Sequence, residues 1–72
     1  MIPALKAITR ISGEMGLILN PDKIRESEHG GIEIDLSQSE AREMERLLFE
    51  EEHIEVFRDE GVGGVTLSVF PV

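Results

Sequence analysis

Apolar residues recur along this chain at two spacings, the roughly 3.6-residue period of a helix and the two-residue period of a strand, and the switches between them mark out its elements. Ala4, Ile8, Ile11 and Met15 fall at helical spacing with Leu5 beside them, while Lys6, Arg10 and Glu14 follow one another four apart on the opposite side. Pro3 suits a first helical turn, because its missing N–H would go unpaired there anyway. The spacing predicts a helix over residues 3–15, weakened by Gly13 and closed by Gly16 as a left-handed cap. Leu17-Ile18-Leu19 then reads as a short extended segment. Asn20-Pro21-Asp22 stops it, since Pro presets its backbone angle and Asn and Asp bond the local chain. Lys23–Ser27 is either a polar edge strand or a loop, and Glu28-His29-Gly30-Gly31 is the next turn.

Ile32, Ile34 and Leu36 alternate with Glu33 and Asp35, the pattern of a strand with one buried face and one wet face. Ser37-Gln38-Ser39-Glu40 has capping-box spacing: the serine oxygen takes an orphan backbone N–H and the glutamate reaches back. Behind it Ala41, Met44, Leu47 and Leu48 form one apolar stripe opposite Arg42, Glu43, Arg46 and Glu50, with Arg46 and Glu50 at ion-pair spacing. A helix over residues 38–51 is expected. Ile54–Arg58 and Val65–Phe70 read as two strands of a hairpin, joined by a flexible loop Asp59–Gly64. The fold class is therefore α+β: two helices on one face of a small, mostly antiparallel sheet of three or four strands, in the order helix, strand, optional strand, strand, helix, strand, strand.

With 72 residues the chain is expected to form a single domain, 1–72. Its apolar fraction of 40% includes three Phe and neither Tyr nor Trp, so the core is aliphatic and its stability marginal. A homodimer, through the edge of the last strand or through Phe57 and Phe70, would add to it. Seven Lys and Arg against 15 Asp and Glu give a formal net charge of −8. That balance argues against direct binding of nucleic acid or of an anionic membrane, which rests on neutralising phosphates, and towards a partner with a basic surface. The absence of cysteine excludes disulfides, thiolate metal sites and cysteine nucleophiles. A secreted domain this small is more often disulfide-stapled, and no signal segment or membrane span is visible, so the expected location is cytoplasmic.

Candidate chemistry gathers in three places. Glu50-Glu51-Glu52-His53 puts three carboxylates at a helix C-terminus, where the backbone dipole already disfavours anions. On a helical wheel Glu51 projects towards Met44, Leu47 and Leu48, so either the helix ends before it or a carboxylate lies against the rim of the core. Together with His53 it offers ligand types that suit zinc or manganese, but no second His or spaced motif completes a site. Glu33 and Asp35 share a strand face, with Glu55 as a potential neighbour and a hard cation such as calcium or magnesium as the corresponding ligand. Phe57 and Phe70 both fall opposite the core-facing residues of their strands. They are either buried beneath the first helix or exposed as a binding surface. Gly61-Val62-Gly63-Gly64 lacks the following helix and the Lys of a phosphate loop, and His29 has no nucleophile or second base at a recognisable spacing.

These readings point to a non-enzymatic, acidic protein–protein interaction module, an adaptor, regulator or inhibitor that docks on a basic protein surface. Its contact residues are expected among Glu50, Glu51, Glu52, His53, Phe57 and Phe70, with no cofactor and no catalytic residue. The alternative is a small divalent-cation-binding protein using carboxylates and His53.

Overall fold

A computed structural model describes residues 3–27 and 30–72. The turn expected at Glu28-His29 falls largely outside them, as does His29 itself. The first helix, α1, spans Pro3–Met15 as the spacing requires. It closes with Gly16 at φ +70°, where the Gly16 N–H donates to the Gly13 carbonyl and the Leu17 N–H to the Ser12 carbonyl, the paired bonds of a Schellman cap. Leu17-Ile18-Leu19 is not a strand. Leu17 and Leu19 pack against the core and Ile18 points to solvent, but no neighbouring chain among the described residues gives this segment a ladder. A short 3-10 turn, Pro21–Lys23, follows, with the Asn20 side chain accepting from the Asp22 N–H at 3.0 Å.

Strand β1 covers only Ile24–Glu26 and β2 covers Ile32–Leu36. The second helix, α2, is Gln38–Leu48 and opens with both halves of the capping box: Ser37 Oγ accepts from the Glu40 N–H, and Glu40 Oε1 accepts from the Ser37 N–H at 3.0 Å. It ends three residues earlier than the expected residue 51. Beyond Leu48 the bonds tighten, with the Glu50 N–H donating to Leu47 and the Glu51 N–H to Leu48. A helix end already rich in unpaired carbonyls gains nothing by carrying three carboxylates further along its axis.

Strands β3 (Ile54–Gly61) and β4 (Gly64–Pro71) are longer than expected, and the loop between them is correspondingly shorter. Asp59 and Glu60 belong to the ladder, whose last pair is Gly61 with Gly64. Only Val62 and Gly63 turn the chain, with Gly63 at φ +86°, a conformation open to glycine at no steric cost. What reads as a flexible glycine-rich loop is a tight hairpin turn.

The four strands are antiparallel in the order β1-β2-β4-β3. The last strand is therefore central, not the edge expected of it; β3 is the long edge. Both helices lie on the same face. Ala4, Ile8 and Ile11 of α1 and Ala41, Met44 and Leu48 of α2 share one buried cluster with Ile32, Ile34, Leu36, Val65, Leu67 and Val69 of the sheet. The cluster is wholly aliphatic apart from Met44, and none of the three Phe belongs to it. No helix among the described residues is long and apolar enough to cross a membrane.

Candidate functional site: the uncovered sheet face

Because successive side chains of a strand point to opposite faces, burying Ile32, Ile34, Val65, Leu67 and Val69 under the helices commits their neighbours to the other side. The register carries this across the sheet: Arg25 lies opposite Glu33, Glu33 opposite Ser68, and Ser68 opposite Phe57. The adjoining row is Asp35, Thr66 and Asp59, and Phe70 lies opposite Glu55. Neither helix covers this face.

Phe57 and Phe70 meet here edge to face, with ring centroids 5.8 Å apart and planes at 70°. Their alternatives, burial under α1 or exposure, are thus resolved: α1 packs on the opposite face, and Phe57 is 55% exposed. Phe70 is better covered because its ring lies over Gly31. A methyl group on Gly31 would collide with Phe70 Cδ1 and sit 2.8 Å from the Val69 carbonyl oxygen, so only glycine leaves room for the ring. Gly31 itself is buried, and its N–H donates to Ser27 Oγ at 3.1 Å.

Around the ring pair the strands place four carboxylates, Glu33, Asp35, Glu55 and Asp59, and one cation, Arg25. Arg25 holds Asp35 with two bonds, Nη1 to Oδ2 at 2.8 Å and Nη2 to Oδ1 at 3.1 Å, and reaches Glu33 Oε1 at 3.4 Å. The Thr66 hydroxyl donates to Asp35 Oδ1 at 2.7 Å. Hydrogen bonds from Arg25, and after it from Thr66, hold the Asp35 carboxyl down at about 2, and Asp35 in turn raises the pKa of Arg25. Glu33 and Asp35 are thus engaged by a guanidinium. Glu55 is not their neighbour, since β4 lies between β2 and β3. Among the described residues neither Glu55 nor Asp59 has an ion-pair partner, and both are exposed.

The acidic helix end lies elsewhere, and its members separate. Glu51 forms an ion pair with Arg10 of α1, which accounts for a carboxylate projecting towards the helix layer. Glu50 is exposed past the end of α2 and does not pair with Arg46. Glu52 and His53 are exposed in the connection to β3, where the His53 carbonyl accepts from the Val72 N–H at 2.9 Å. Arg10, Glu51 and His53 line an open groove of about 650 Å³ beside α1, on the helix side of the sheet. Phe57 and Phe70 are on the other side. The structure thus brings the two phenylalanines together but does not join them to Glu50–His53. Among the described residues no three His, Asp or Glu side chains converge as a metal site would require.

Sequence reasoning missed Arg25, Gly31 and Asp59. A signal existed for the first: pairing the polar segment Lys23–Ser27 with the strand Ile32–Leu36 sets Arg25 opposite Glu33. For Gly31, nothing in a Gly-Gly pair distinguishes a ring seat from a turn. The chain matches no family model, no curated protein and no solved structure at the significance required.

Proposed function

We infer that this chain is a non-enzymatic protein-interaction module that docks on a basic protein surface through the uncovered face of its sheet. The observation that carries this reading is the Phe57–Phe70 pair, set among carboxylates and left bare by both helices. Aromatic side chains are favoured at the centres of interfaces, where their large area is desolvated at low entropic cost. The rings also present π faces to cations, and Glu55 and Asp59 supply negative charge beside them that is unpaired among the described residues. A net charge of −8 would steer a basic partner towards the molecule. Phe57→Ser with Phe70→Ser removes the apolar centre, and Glu55→Lys with Asp59→Lys reverses its charge.

Affinity capture on the immobilised chain tests the reading at low and high salt, with circular dichroism confirming that each variant is folded. Basic proteins retained by the parent chain should be lost from both double variants and should weaken with salt, each ring contributing a factor of about 30 in affinity if it behaves as a hot spot. Retention of the same proteins by both variants would end it. Loss only on changing Glu50, Glu51 and Glu52 to Gln would move the contact to the helix end.

A further inference from the structure

The two edges of this sheet are unlike. β1 offers three residues, whereas β3 offers eight, Ile54–Gly61, in unbroken register with β4 and with no strand of the described residues outside it. The direction of its backbone groups follows from the ladder. The Val72 N–H donates to the His53 carbonyl, so His53 turns its groups towards β4, and alternation turns those of Glu55, Phe57, Asp59 and Gly61 the same way. Pro71, which has no N–H to give, falls opposite Ile54 at a position that needs none. The N–H and C=O groups of Ile54, Val56, Arg58 and Glu60 therefore point outward from the sheet.

Proteins usually blunt so long an edge with Lys, Pro, a bulge or inward-turned charges, and of these β3 has only the last, in Arg58 and Glu60. Here the register shows no bulge, and β3 contains neither Lys nor Pro. Its cation, Arg58, is turned to the helix side and engaged with Glu45, Glu60 and Gln38. On the open face the edge reads Glu55, Phe57, Asp59, acid, aromatic, acid, with both acids unpaired among the described residues. Like charges placed directly opposite one another destabilise strand pairing, so this edge disfavours an acidic strand, including its own copy. Setting Phe57 opposite Phe57 of a second molecule would place Glu55 opposite Asp59 twice.

We propose that β3 takes up an extended basic segment of a partner as a fifth strand, reading basic, any, apolar, any, basic. The two basic side chains lie opposite Glu55 and Asp59, and the apolar one lies opposite Phe57. These are the closely approaching positions of an antiparallel pair, while Ile54, Val56, Arg58 and Glu60 supply the backbone bonds. The order reads the same in both directions, so charge does not dictate strand polarity. The proposal rests on the interaction-module reading and specifies how the partner is held.

The test uses the full chain and the blocked peptide Thr-Lys-Thr-Val-Thr-Arg-Thr, followed by amide hydrogen exchange resolved by NMR. A control peptide of the same sequence is N-methylated at the residues whose N–H groups would face β3. At a peptide concentration about ten times its Kd, exchange at Ile54, Val56, Arg58 and Glu60 should slow by about tenfold. The methylated peptide should give no such protection, and Glu55→Lys with Asp59→Lys should abolish it. Binding of both peptides without protection of these amides would overturn strand addition and leave docking on the sheet face intact. Failure of the peptide to bind, while captured basic proteins remain sensitive to Phe57 and Phe70, would do the same. Failure of both experiments removes the interaction reading as well. Protection that rises with protein concentration in the absence of peptide would assign the edge to a second copy and overturn the proposal.

Discussion

The two faces of one strand differ more here than any two elements do. On β4, Val65, Leu67 and Val69 are 2%, 0% and 0% exposed, while Thr66, Ser68 and Phe70, alternating with them, remain half-exposed on the far side. The backbone groups of both sets are taken up in the ladders, those of Thr66, Ser68 and Phe70 by β3 and those of Val65, Leu67 and Val69 by β2. The inner set is aliphatic because two helices close over it and shape decides what fits. The outer face of the sheet carries an aromatic pair, a guanidinium holding two carboxylates, and two carboxylates unpaired among the described residues. The packing of the core does not dictate the identity of those residues.

The largest expected contrast comes from shortening one side chain on each face. Leu67→Ala leaves a cavity in the middle of the core and should cost about 2–5 kcal/mol. That is a large share of the roughly 4–11 kcal/mol expected of a domain this size at about 0.05–0.15 kcal/mol per residue. Ser68→Ala, the next residue, should change stability by no more than about 0.5 kcal/mol. Urea unfolding of the two variants measures both; comparable losses would mean that the outer face is structural after all.

Gly31→Ala tests where the two faces touch. Its methyl group must displace the Phe70 ring and meets the Val69 carbonyl, for an expected loss of about 1–3 kcal/mol. Combined with Phe70→Ala the loss should be smaller than the sum of the two, because the ring is no longer there to displace. Strict additivity in that cycle would show that the ring does not rest on Gly31. Among the described residues the inner layer has one polar exception: Ser12, 2% exposed, whose hydroxyl has no hydrogen-bond partner there. Ser12→Ala should stabilise the protein by about 0.5–1 kcal/mol, through both the lost desolvation cost and the better helix former. A loss on the same urea assay would mean that the hydroxyl has a partner.

The inner face was the legible one. Ile32, Ile34 and Leu36, and Val65, Leu67 and Val69, announce their side by alternation, and Ser37 with Glu40 announces the start of α2; all stand where the pattern puts them. Alternation states that Phe57 and Phe70 share the outer side of their strands, but packing across the whole chain decides whether a helix covers them. The hairpin was obscured because Asp59 and Glu60 are poor strand formers, yet as part of an exposed edge they need bury nothing. Strand order was beyond a single sequence: which strand lies in the middle depends on how the α2 connection crosses, and local pattern does not record it. Glu51 shows the same limit, since its partner Arg10 is far away along the chain.

Acid should reach the outer face before it reaches the inner one. The folded protein keeps Asp35 deprotonated down to about 2, against an ordinary 3.8, first through Arg25 and then through the Thr66 hydroxyl. Between those values the unfolded chain binds a proton that the folded one refuses, so unfolding takes up acid. The contribution of Asp35 is therefore complete above pH 3.8 and is lost as pH falls through about 2. Asp35→Asn should flatten part of the fall in melting temperature across that interval. The remainder should persist, because Glu40 is also held below its ordinary value by the Ser37 backbone N–H and side chain. Asp35 is well exposed, so water and salt screen the pair, and this is the smallest effect of the series. Thr66→Val separates the two causes: NMR titration should show the Asp35 carboxyl rising towards its ordinary value while still held down by Arg25, and added salt should raise it further. An unchanged titration in Thr66→Val would mean that the hydroxyl does not hold the carboxylate, and that the basic side chains, Arg25 first, do so without it.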